Sequence, residues 1–125
     1  VLKNKRKVME NSILKIYISS TDKTGSDLLY EHIVRKAKEQ GLSGATVYRG
    51  IMGYGPSSQH INTSRYWELT EKLPVVVELI DTTQALNAFY TYMENEFKQL
   101  PKGSLITIQP IDIKLYKVGL KTKNQ

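Results

Sequence analysis

One stretch restricts this chain more than any other. It opens with Gly41, Leu42, Ser43 and Gly44, runs through Ala45 to Met52, and breaks at Gly53, Tyr54, Gly55 and Pro56. Thr46, Val47, Tyr48, Ile51 and Met52 favour a pleated surface, so a strand is expected over Ala45 to Met52. Gly53 and Gly55 then free the backbone, and Pro56 cannot continue a ladder. A polar segment of about twenty residues follows before the apolar run at Pro74. A loop of that length in a small domain points to function or disorder, so this stretch carries the main functional clue.

The flanking segments supply the rest of a fold. Ser12 to Ser19 alternates, with Leu14, Ile16 and Ile18 on one side and Ile13, Lys15, Tyr17 and Ser19 on the other, as in a half-buried strand. A polar turn is expected over Ser20 to Gly25. A helix is expected from Ser26 to about Gln40, its stripe made of Leu29, Ile33 and Ala37 with Tyr30 and Val34 beside it. Gly41 suits the left-handed position after its last turn. Leu73 to Ile80 reads as a third strand. Asp81 is the expected N-cap of a second helix, with Gln84 completing the box. Ala85, Phe89, Met93 and Phe97 form that helix's stripe, flanked by Leu86 and Tyr90, and Pro101 ends it. Lys102, Gly103 and Ser104 make a tight turn. A last strand covers Leu105 to Tyr116, with a bulge or bend expected at Pro110, where the apolar positions change phase.

The order β-α-β-β-α-β with right-handed crossovers predicts an α+β, ferredoxin-like sandwich. Its four-stranded antiparallel sheet would carry both helices on one face. The other face stays open, with Tyr17, Tyr48, Tyr116 and Arg49 expected on it. An open face with large side chains is a binding platform or an oligomer interface.

Composition narrows the function. The chain of 125 residues suffices for one domain with one modest core. No run approaches the roughly 20 apolar residues of a membrane span. Cysteine is absent, which excludes disulfides, thiolate zinc sites and cysteine nucleophiles and makes a cytoplasmic location the simplest reading. The net charge is +6, yet residues 1–10 hold +3 and residues 114–125 hold +4, which leaves −1 for the body. Solvated basic tails, rather than a nucleic-acid surface, follow from that distribution. The first eight residues are set apart, since Met9 could be an internal start. There is no nucleophile elbow, paired-carboxylate constellation or Walker-type loop, so no enzyme is expected. His32 is expected to be structural or exposed. His60, with Gln59 and Asn62, has too few neighbouring ligands for a metal site. Tyr66 and Trp67 read as packing anchors.

The residues at 41–47 followed by Gly53, Tyr54 and Gly55 closely resemble the second strand and loop entry of the PII-type nitrogen-regulatory signalling proteins. The long loop, the Leu-Pro-Val strand, the glycine turn and the basic end follow in the same order, from about Ile13 to Gly119. Gly-Tyr-Gly-Pro-Ser-Ser before a His, with Pro56 and Ser57 where PII carries Arg-Gln, looks more like a poorly characterised PII-like branch. The resemblance implies a PII-like domain over 12–119, with basic tails at 1–11 and 120–125. It implies a homotrimer that binds an adenine nucleotide (ATP, ADP or AMP) in clefts between subunits, with no obligatory cofactor. Gly44 and Thr46 would sit near the base. Gly53, Tyr54 and Gly55 would form the loop entry. Lys102, Gly103 and Ser104 would cradle phosphate, and Lys114 and Lys117 would be closing cations. The loop would regulate a partner protein such as a membrane transporter or channel. Two other readings share the architecture: a trimeric divalent-cation-tolerance-type metal-binding protein and a single-strand RNA-binding module.

Overall fold

The computed structural model describes residues 10–56, 62–63 and 72–121. Four strands form its main sheet: β1 (Asn11–Ser19), β4 (Ala45–Arg49), β7 (Pro74–Thr82) and β8 (Leu105–Ile111). Their order is β4-β7-β1-β8, and every neighbouring pair is antiparallel. With helices α1 (Leu29–Glu39) and α2 (Thr83–Gln99) this is the expected ferredoxin-like α+β arrangement.

Hydrophobic burial on one face holds it together. Leu14, Ile16 and Ile18 of β1 and Val75, Val77 and Leu79 of β7 are buried beneath Leu29, Ile33 and Ala37 of α1 and Leu86, Phe89, Met93 and Phe97 of α2. The two helical stripes are those the 3.6-residue period picked out, except that Leu86 rather than Ala85 fills the first turn of α2. Half-buried Tyr30, Val34, Tyr90 and Ile106 close the margins. Beneath the sheet rim, Ser12 is buried and its hydroxyl lies 2.6 Å from that of Thr83.

Several local expectations give way to tertiary pairing. The first helix starts at Leu29, because Lys23–Thr24 (β2) and Asp27–Leu28 (β3) pair as a small ribbon around Gly25, whose φ is +63°. Leu29 N–H donates to the carbonyl of Asp22 instead of to a side-chain cap. Gly41 has the expected positive φ, +84°. The N-cap of α2 is Thr82, whose Oγ1 accepts from Ala85 N at 3.0 Å, and not Asp81. Asp81 instead accepts from the Ser43 N–H and hydroxyl, at 2.9 and 3.1 Å, and so pins the chain entering β4.

The β4 strand stops at Arg49, short of Met52. Gly50 N–H still donates to the Pro74 carbonyl at 2.7 Å, but Pro74 has no N–H to return, so the ladder ends. Met52–Gly53 (β5) then pairs antiparallel with Asn62–Thr63 (β6). Arg49 lies opposite Val75, on the helix side of the sheet, and not on the open face.

The last strand is shorter than expected and unbulged. Its register against β1 runs without a skip from Tyr17↔Leu105 to Asn11↔Ile111, through Ser12↔Pro110. Pro110 is tolerated because β8 is an edge strand. The apolar phase does change, but the backbone phase does not. Ile106 and Ile108 lie on the helix side opposite Ile16 and Leu14, whereas Ile111 lies on the open side opposite Asn11. Residues 112–121 then leave the sheet without regular structure.

Candidate functional site

The sheet gives the expected site residues two addresses. The end holding Ser19, Pro74 and Leu105 receives the exit from β4 and the turn before β8. There Gly53, Tyr54, Gly55 and Pro56 line a cavity of about 90 Å³ together with Tyr17, Pro74 and Gly103. Lys102 and Ser104 stand on the same turn, and both line a smaller recess with Asp22 and Gly103 behind it. The strand exit and the lysine-bearing turn, about fifty residues apart in sequence, therefore meet in one chain.

Local chemistry explains the meeting. Pro101 and Gly103 turn the chain out of α2 and into β8, beside Ser19. Ser20 fastens the end of the long segment from the other side. Its N–H donates to the Leu73 carbonyl at 2.8 Å, and its Oγ accepts from Leu73 N at 3.0 Å. Asp22 is buried and accepts the Ser19 N–H at 2.9 Å, which fixes the loop below the turn. Lys102 is exposed and has no ion-pair partner among the described residues. Glycine lets backbone approach an anion, and an unpaired lysine adds a point charge, so this end can receive an oxyanion.

The opposite end holds the other group. Gly44 and Thr46 line a cavity of about 590 Å³ on the open face, with Ile80, Ile111, Leu115 and Tyr116 among its walls. Nine residues of β7 separate the two ends, and strand rise is roughly 3.3 Å per residue. Thr46 lies opposite Glu78, between those ends, and Gly44 stands two residues before it, so they are on the order of 13–20 Å from the Pro74 end in one copy. Lys114 is at this far end and pairs with Asp112 at 2.8 Å. Lys117 follows Tyr116 there and is exposed. Neither lysine is brought to the turn at Lys102.

The larger cavity is bordered by two carboxylates, Glu78, which the sequence reading did not single out, and Asp81, which it read only as a helix cap. Glu78 Oε1 accepts from Tyr48 Oη at 3.0 Å, and this bond holds the phenol above its usual pKa near 10. Asp81 is engaged with Ser43, as described above. Cross-strand placement, Thr46 opposite Glu78, creates this border and is invisible before register is known.

His32 is half-buried and structural. Its Nε2 lies 2.5 Å from Glu96 Oε1, a close approach outside hydrogen-bond geometry, and ties α1 to α2. Thr24 Oγ1 donates to the same oxygen at 3.4 Å. Among the described residues no three His, Asp or Glu gather as a metal site. No helix among them is long and apolar enough to cross a membrane. His60, Tyr66 and Trp67 lie outside the described residues.

Comparison with known proteins agrees with this fold. The family model DUF190, described as "Uncharacterized ACR, COG1993", matches residues 11–113. A UPF0166 protein of Aquifex aeolicus is 34% identical over 107 residues, covering 86% of this chain and 96% of that protein. A UPF0166 protein of Methanocaldococcus jannaschii is 39% identical over 80 residues, 64% of this chain and 72% of that one. Among solved structures, CPII, a nitrogen regulatory PII-like protein from Thiomonas intermedia K12 bound to ADP, AMP and bicarbonate, superposes with a TM-score of 0.58 at 12% identity. The match covers 86% of this chain and 99% of CPII. A PII-like signaling protein from Thermus thermophilus gives a TM-score of 0.55 at 16% identity, over 82% and 88% of the two chains. At such identities the likeness concerns the fold alone, and with the match over 11–113 it places this chain in the DUF190 (UPF0166) family, on a PII-like fold.

Proposed function

We propose that this chain is a homotrimeric PII-like signalling protein that binds an adenine nucleotide in the clefts between its subunits. The segment after β4 then regulates a partner protein. One observation carries the reading: Gly53, Tyr54, Gly55 and Gly103 line a single cavity, with Lys102 on the adjoining turn. Backbone from two loops and one cation is a combination suited to a phosphate group. CPII, which shares the fold, is bound to ADP and AMP, and this favours the same ligand class here.

The separation of the two residue groups supports a shared site. One copy offers glycine backbone and Lys102 at one end and Gly44, Thr46 and the basic tail at the other. A cleft closed by a neighbouring copy's Lys114 or Lys117 satisfies both sets. The role is binding and not catalysis, and the protein acts in the cytoplasm. The metal-binding alternative gains no support from the described residues.

Calorimetric titration with ATP, ADP and AMP tests the reading. Saturable heat with at least one of them is expected. No heat and no thermal stabilisation at millimolar nucleotide would overturn it.

A further inference from the structure

We infer that Lys23 acts with Lys102 to hold the distal half of a diphosphate group, so that the protein selects ligands with two or more linked phosphates over those with one. The inference rests on the phosphate role proposed for the Lys102 turn and names the ligand class that turn takes.

Lys23 stands on the β2–β3 ribbon, which joins β1 to α1. The pairs Lys23↔Leu28 and Thr24↔Asp27 fix the ribbon, and the positive φ of Gly25 closes it. Thr24 Oγ1 donates to Glu96 Oε1 at 3.4 Å and ties the ribbon to α2, whose end leads into the Lys102 turn. Lys23 thereby lines the recess behind that turn, with Lys102, Gly103 and Ser104.

The recess lacks a counter-charge. Lys23 is exposed, and neither it nor Lys102 has an ion-pair partner among the described residues. Asp22 is the one acid among the described residues that line it. Its buried carboxylate accepts the Ser19 N–H at 2.9 Å and pairs with neither lysine. Two lysines against one acid leave a surplus of +1, and like charges on one recess repel until an anion joins them.

Size and position fit a second phosphate. The recess has a volume of about 10 Å³, close to what one water-sized atom needs, so it admits a phosphate oxygen and not a ring. Gly103 lines both this recess and the cavity at the loop entry, and it has no side chain to stand between them. A phosphate in that cavity therefore has a cationic seat beside it, across a single residue. One phosphate alone fills the cavity and gains nothing from Lys23. A linked pair reaches both, and its far oxygens take charge-assisted bonds from the two ammonium groups.

Calorimetric titrations with inorganic pyrophosphate, inorganic phosphate, ADP and AMP test this. The intact chain should bind pyrophosphate and ADP roughly tenfold or more tighter than phosphate and AMP, as for one added hydrogen bond to a charged group. Lys23→Gln should remove that preference, and Lys23→Arg should keep it. Lys38→Gln, which deletes an exposed charge on α1, should leave it in place. Circular dichroism checks that each variant folds. An intact chain that binds one phosphate as tightly as two overturns the inference, and so does a Lys23→Gln chain that retains the preference. An equal loss in Lys38→Gln also overturns it, since general charge attraction then suffices. Pyrophosphate held through Lys23, with no heat from ADP or AMP, overturns the nucleotide reading alone. ADP and AMP bound equally well overturn the diphosphate grip alone, and a chain that binds none of the four overturns both.

Discussion

Gly50 and Pro74 meet back to side at the exit from β4. The Gly50 N–H donates to the Pro74 carbonyl at 2.7 Å, and a Cβ on Gly50 would stand 2.8 Å from Pro74 Cγ. That is too close for a real Cβ, and a proline ring cannot swing aside as a flexible chain end would. Gly50→Ala should therefore push the loop entry off β7 and cost about 1–3 kcal/mol, as overpacking usually does. Urea denaturation measures it; a midpoint equal to that of the parent would refute the contact.

The true cap of α2 can be told from the apparent one. Thr82→Ala should lower stability by about 1 kcal/mol, because the Ala85 N–H loses its acceptor. Gln84→Ala should change stability by less than about 0.5 kcal/mol, since its side chain is exposed and caps nothing. The two thermal midpoints should differ in that order.

Tyr48 gives a pH prediction. Its phenol is raised above 10 by the hydrogen bond to Glu78 and then by that carboxylate's charge. The folded state therefore favours the neutral phenol. Any stabilisation from the pair is fully present below pH 10 and is lost as pH rises through the higher folded value. Tyrosine ring carbon shifts, assigned with Tyr48→Phe, should show Tyr48 ionising above 10. Glu78→Gln should move that titration downward; no movement would remove the pair as its cause.

Lys102 and Lys114 differ in what they hold in the absence of ligand. Lys102 is unpaired among the described residues, whereas Lys114 holds Asp112. Lys102→Ala should leave stability within about 0.5 kcal/mol, as for an exposed side chain. It should weaken nucleotide binding by about 1.5–3 kcal/mol, roughly tenfold or more, as for a lost charged hydrogen bond. Equal binding by the variant in a calorimeter would take Lys102 out of the site.

Much of this was legible in the residues. The alternation of Leu14, Ile16 and Ile18 and the spacing of Ile33, Ala37, Phe89, Met93 and Phe97 follow directly from which face each element buries. The start of α1 was not legible, because the β2–β3 ribbon competes for Asp27 and Leu28. Nor was the cap of α2: Asp81 and Thr82 are both good caps, and only Ser43, brought alongside by β4, decides that Asp81 is used elsewhere. At Pro110 a change of apolar phase looked like a bulge. It is a change of which sheet face needs cover, and the ladder stays in step.

By itself the sequence determined the two helices, the four strands of the main sheet, their order and the apolar stripes of β1, α1 and α2, because periodicity and turn chemistry are local properties. Only the tertiary structure decided which loops share an end of the sheet. Register set Gly103 beside Gly53 and Gly55 and carried Gly44 and Thr46 further along β7, into a different cavity. Neighbourhood across strands depends on pairing between distant residues, and no local spacing encodes that.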